Sequence, residues 1–114
     1  MLIAEPRGQR TTRTEDEGRE LYRQMLDFGQ ELQNSGQLVA SESLRPDEHA
    51  VRISAPEGTP RLLDGPFAEA REMIGGFFLI DVATRDEAIA IAGRCPAAGW
   101  ATVEVRECAP CYVQ

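Results

Sequence analysis

The sequence predicts an α+β fold, a ferredoxin-like βαββαβ plan with one inserted hairpin, and three observations carry that expectation. Two helical stripes each follow a capping box. Apolar or alternating runs flank them in the order strand, helix, strand, hairpin, strand, helix, strand, and Gly and Pro steps punctuate the joints. Such an order puts both helices on one face of an antiparallel sheet.

Taken in order, residues 1–4 read as a short first strand, followed by a polar segment that carries Arg7, Arg10 and Arg13. Thr14 with Glu17 three residues on is a capping box, so the first helix is expected to start at about Glu15. Leu21, Met25, Phe28 and Leu32 recur at helical spacing, Tyr22 and Leu26 widen the stripe, and Gly36 stands where a left-handed C-terminal residue belongs. Residues 37–42 read as a second strand. After Arg45-Pro46-Asp47, residues 49–54 and 61–64 form the hairpin around Pro56-Glu57-Gly58-Thr59 and hand the chain to Asp64.

Proline fixes its own φ and pushes the residue before it out of the α region, so Gly65-Pro66 is an extended step into a helix expected to begin at Pro66 or Phe67. Asp64 then sits just ahead of free helical N–H groups, which favour a carboxylate; this is either a catalytic or ligand-orienting group or an ordinary cap. Residues 77–83 are apolar on both faces at their start, as in a central strand, and Gly75-Gly76 before them reads as close backbone approach. Thr84 with Glu87 repeats the capping box, Ala88, Ile91, Ala92 and Cys95 form a second stripe, and Pro96 stops it. Residues 100–107 alternate strictly, with Ala101, Val103 and Val105 on one face and Trp100, Thr102, Glu104 and Arg106 on the other.

At 114 residues the chain is read as a single domain, 1–114, with 108–114 as a short C-terminal tail. Apolar content of 42% and charged content of 27% fit a globular protein, and a net charge of -7 argues against nucleic acid or an anionic membrane as partner. No membrane span or signal peptide is read, so a cytoplasmic location is expected. The Arg7, Arg10, Arg13 segment is a solvated loop or an anion site. The sheet face away from the helices, with Trp100, Thr102, Glu104 and Arg106 beside Phe77 and Leu79, is too apolar for water, so a two-fold homodimer with a partly polar cavity is expected.

His49 is the only histidine and has no Cys or carboxylate at metal-ligand spacing; no metal and no cofactor are expected. No Gly-rich phosphate loop and no nucleophile elbow are present. Cys108 and Cys111, in Cys-Ala-Pro-Cys, have the spacing of half a zinc site or a redox pair. They follow the last strand instead of opening a helix, so they and Cys95 are expected to be reduced bystanders. Asp64, Asp81 and Glu104 are the carboxylates with a claim to proton transfer, although Arg106 can neutralise Glu104 as an ion pair.

The run DGPFAEAREMIGGFFLIDV, with the later Val103-Glu104-Val105-Arg106, resembles the YCII-related family in its DGPF-containing branch, and the resemblance covers residues 1 to about 107. It implies a ferredoxin-like fold assembled as a dimeric α+β barrel. It further implies, for some members, a His and Asp pair performing lyase-like or dehydrohalogenating chemistry on small aromatic compounds, and a link to extracytoplasmic-function sigma factors. The motif maps onto Asp64, Gly65, Pro66 and Phe67. The first-helix histidine of many relatives falls on Met25, which can neither accept nor donate a catalytic proton. Two readings follow. One is a small-molecule-binding or regulatory homodimer with a cleft near Asp64, formed with Gly65, Pro66, Phe67, Met25, Trp100, Glu104 and Arg106. The other is a weak lyase, isomerase or dehydrochlorinase-like enzyme with Asp64 as general base and His49 as its partner.

Overall fold

In the computed structural model, which describes all 114 residues, the chain forms β1 (Leu2–Pro6), α1 (Glu15–Asn34), β2 (Leu38–Ser43), β3 (Val51–Ser54), β4 (Arg61–Asp64), β5 (Glu72–Ile80), α2 (Arg85–Arg94) and β6 (Thr102–Glu104). The fold is mixed α+β with two antiparallel sheets. One has four strands in the order β2-β5-β1-β6, and the other is the β3-β4 hairpin alone.

Both helices start and stop where the sequence places them. Thr14 Oγ1 accepts the Glu17 amide and Thr84 Oγ1 accepts the Glu87 amide, each at 3.1 Å. At the end of α1 the Gln37 amide donates to Leu32 O and the Gly36 amide to Gln33 O. That pattern turns the chain through a left-handed residue, which Gly36 supplies at φ 76°. The apolar stripes of both helices meet one face of the large sheet: Phe28 and Leu32 from α1, Ile91 from α2 and Cys95 just after it close on Ile3 and Phe78. Phe28 and Phe78 meet edge to face, centroids 5.3 Å apart, the arrangement aromatic quadrupoles favour.

Register decides which residues reach that face. Ile3 pairs with Gly76 and Val103, whereas Leu2 pairs with Phe77 and Glu104 and so turns the other way. Gly75 is an extra residue between the Ile3–Gly76 and Ala4–Ile74 pairs, a β-bulge in the central strand. Gly76 satisfies the expected close approach, because a Cβ there would meet the Glu42 carbonyl oxygen of β2.

Several expectations need correction. No helix follows Pro66; a single turn at Ala68 and Glu69 and a bend at Arg71 occupy that stretch, and β5 begins at Glu72, five residues before the expected strand. Residues 68–73 have good helix formers, but pairing of Glu72 and Met73 with Pro6 and Glu5 of β1 outweighs that local preference. Strand β6 covers only Thr102–Glu104, paired with Ala4 to Leu2 of β1, because the 3-10 turn Pro96–Gly99 takes up the chain just before it. Trp100 is therefore not a strand residue of the open face. It ends the 3-10 turn Pro96–Gly99 and packs half-buried against the helix-side core. His49 sits in a 3-10 turn, Asp47–His49, before β3 instead of opening that strand.

The molecule is thin. Its Cα radius of gyration is 16.1 Å, against about 13 Å for a compact chain of this size. Every residue of β3 and β4 is exposed, and Leu79 and Ile74 of β5 remain 38% and 45% exposed.

Gly65 cannot carry a side chain, since a Cβ there would lie on the Asp47 carbonyl. Gly65→Ala is expected to destabilise the protein by about 1–3 kcal/mol through forced overpacking of backbone on backbone. Urea unfolding measures it, and an unchanged midpoint would contradict the close approach.

Candidate functional site

The Asp64-Gly65-Pro66-Phe67 turn is held from outside by Asp47. Arg7 Nε donates to Asp47 Oδ2 at 2.9 Å and Arg7 Nη2 to Oδ1 at 3.3 Å, while the Phe67 amide donates to Oδ2 at 3.2 Å. The hydrogen bond from Arg7 holds the Asp47 carboxyl below its ordinary value, aided by the Phe67 amide, and Asp47 in turn raises Arg7. Phe67 is buried under the Arg52 guanidinium, 3.7 Å above its ring. The latch thus joins the end of β1 to the start of the hairpin and to the motif turn.

Asp64 itself closes β4, exposed and opposite Val51. His49 is also exposed, with its Nε2 3.2 Å from Arg45 Nη2, and no hydrogen bond joins it to Asp64. His49 and Phe67 line a cavity of about 510 Å³ that Asp64 does not line. Asp81 is exposed just beyond β5. Glu104 and Arg106 pair with each other at 2.7 Å on the surface, as their alternation allowed. The structure therefore does not gather the sequence-predicted residues into one place.

A larger cleft of about 810 Å³ opens between α1 and the sheet and takes in two of them, Met25 and Trp100. Its floor is Glu5, which is 2% exposed. Arg10 Nη2 lies 2.6 Å from Glu5 Oε1, yet that oxygen has no aligned hydrogen bond: the contact is an ion pair. Arg10 spends its N–H groups on the Leu44 carbonyl at 2.8 Å and the Gly75 carbonyl at 3.3 Å. A Cβ on Gly75 would meet the carboxylate of Glu5 and the guanidinium of Arg10, so a side chain at the bulge would displace the ends of that pair. Above the floor, Arg13 lies over the Trp100 ring with its guanidinium carbon 4.8 Å from the centroid. The Cys95 thiol donates to Met25 Sδ at 4.0 Å, and burial pushes its pKa up, so the wall at Met25 is soft and apolar and is backed by a thiol that stays protonated.

Glu5 and Asp47 escape sequence reasoning. Glu5 had one available signal: if β1 is run on to Pro6, alternation puts Glu5 on the helix side with Ile3. Asp47 had none, because its partners are forty and twenty residues away.

A family profile described as the YCII-related domain matches residues 1–111. An uncharacterised protein of Rhizobium meliloti (strain 1021) is 32% identical over 76 residues, which is 67% of this chain and 61% of that protein. The match therefore spans less than two thirds of that relative's length.

Two outcomes test this geometry. Arg10→Leu leaves the Glu5 carboxylate out of water without its cation and is expected to cost about 2–4 kcal/mol, reduced from the fully buried case because Arg10 keeps 31% exposure. Adding Glu5→Gln should recover part of the loss in urea unfolding. For the latch, the unfolded Asp47 binds protons more readily than the folded one, so its contribution is complete above the ordinary Asp value of about 3.9 and disappears as pH falls through the lower folded value. The urea midpoint of the parent should therefore drop more steeply on acidification than that of Asp47→Asn, and parallel curves would refute the latch.

Proposed function

The chain belongs to the YCII-related domain family, and from that premise we propose that it is a small-molecule-binding homodimer whose ligand enters the cleft between α1 and the large sheet. The observation that carries this reading is the 810 Å³ cleft itself, with its buried Glu5–Arg10 floor. A volume of this order suits a small organic compound, and the lining combines a few fixed polar groups with apolar walls. The proposed site thus moves from the Asp64 turn to Glu5, Arg10, Arg13, Met25 and Trp100, and the Asp64 turn becomes a support.

Dimerisation rests on the open sheet face, where Leu79, Ile74 and Phe77 lie without a covering helix, and on a hairpin that buries none of its own residues. A second copy covering these would supply the apolar burial that a thin chain lacks. We further read the large sheet as ferredoxin-like and the assembly as a dimeric α+β barrel. Support for the first comes from strand order, since the sheet's four strands run second, third, first, fourth in chain order. The Asp64-Gly65-Pro66-Phe67 turn supports membership of the DGPF branch, and a link to extracytoplasmic-function sigma factors would make the binding regulatory.

Lyase or isomerase chemistry is a second reading, favoured by one observation. His49 lines the smaller cavity, and β3-β4 pairing brings Asp64 beside Val51, two residues from His49. A bell-shaped pH dependence lost in Asp64→Asn would support it.

Native mass spectrometry of freshly purified protein tests the main reading. The expected species has twice the 12.6 kDa chain mass and carries an adduct of small organic mass. A bare monomer would overturn both the covered face and the retained ligand.

A further inference from the structure

The cleft holds three arginines in its lining, and they are not equivalent. Arg10 is committed to Glu5 and two carbonyls, and Arg19 pairs with Glu15 at 2.6 Å. The Arg13 side chain makes no hydrogen bond and no ion pair, although the residue is half-buried; only its backbone amide is engaged, with the Arg10 carbonyl. Glu42 contributes to the same wall, but alternation along β2 directs its side chain to the opposite face from Ser41 and Ser43. A guanidinium withdrawn from water without a carboxylate is costly, so an arrangement that keeps one lacks its counterpart.

Neighbouring polar groups are also left without partners. The 3-10 turn Gln9–Thr12 brings residues three apart onto one side, which sets Arg13 beside Arg10 over the cleft. Gln9 Nε2 donates to the Trp100 carbonyl at 2.7 Å, yet Gln9 Oε1 and Trp100 Nε1 are closed from solvent with no partner. Trp100 Nε1, like the Arg13 guanidinium, is thus a donor that the chain leaves unsatisfied at one end of the cleft, whereas Gln9 Oε1 is an acceptor beside it. The Arg13 guanidinium lies over the Trp100 ring as a cation over a π face, and its N–H groups, unspent within the chain, are left for a fork of oxygens. Beyond it the wall continues with Leu21, Met25 and Phe78, which offers nothing to a second charge.

Resting on the cleft reading above, we propose that Arg13 and Trp100 form a carboxylate-recognition subsite, and that the ligand is a small monoanion with a flat apolar body. The carboxylate takes the Arg13 edge and the body lies along Trp100 towards Met25. A net charge of -7 disfavours a polyanion at the same spot, so the anion is a small molecule and not a nucleic acid.

Trp100 is the only tryptophan, so its fluorescence reports on this subsite directly. Benzoate is expected to quench it saturably and to bind at least about tenfold more tightly than neutral benzamide, the discrimination of one charge-assisted fork. Arg13→Gln should make the two probes equal, while Arg13→Lys should keep part of the preference. Because Arg13 holds no other group in place, these variants are expected to fold, which circular dichroism checks. Equal binding of benzoate and benzamide to the parent would overturn the anion assignment and leave the cleft reading intact. So would an unchanged preference in Arg13→Gln. Quenching by inorganic phosphate as strong as by benzoate would overturn the flat-body half of the proposal. No saturable benzoate quenching would also overturn it; an organic adduct retained in native mass spectra would then show that the cleft still binds.

Discussion

A carboxylate almost wholly out of water has to be met by a cation, and much of this structure follows from the way Arg10 meets Glu5. The pair sits between β1 and the central strand, close against the bare Cα of Gly75. Gly75 passes there as a bulge, which shifts the register of β5 by one residue between its two halves. Arg10 then reaches on to the carbonyls of Leu44 and Gly75, so one side chain fixes the exit of β2, the bulge and the turn that carries Arg13. Replacing such a pair by matched apolar residues can leave stability unchanged. Its value here is positional: it keeps a polar floor beneath an apolar-walled cleft.

Apolar burial is unevenly spread around that floor. The core lies on one side of the large sheet, where both helices meet Ile3 and Phe78, and the opposite side shows Leu79 and Ile74 to solvent. Few residues of the chain are fully closed off. A fold this thin gains little from its own interior, and the two-stranded sheet gains least, since an isolated hairpin is marginal in water.

What could be read from the sequence was what local chemistry dictates. Thr14, Glu17, Gly36, Thr84 and Pro96 announced both helices, because caps and stops act within one helical turn. The hairpin was announced by its turn residues, and the family resemblance by the motif around Asp64. Most of the misses share a cause: they depended on partners far along the chain. Residues 68–73 look helical until β1 is available to pair with Glu72 and Met73. Trp100 looks like a strand residue until the 3-10 turn Pro96–Gly99 claims its amide. The candidate cleft was legible only in fragments, as an arginine-bearing segment, as Met25 on a helix and as Trp100. Glu5, which unites them, looks like a surface charge until its strand is extended by two residues.

The latch between Arg7, Asp47 and Phe67 bears on how this fold can be altered. It grips the hairpin at its base, while the far end around Gly58, with its left-handed backbone, is exposed throughout and pairs with no strand of the large sheet. Insertions at an exposed tip cost only slowly rising loop entropy. The tip is therefore a place where a tag, an epitope or a whole foreign segment can be grafted without disturbing the cleft, and where lengths can drift between relatives at little cost.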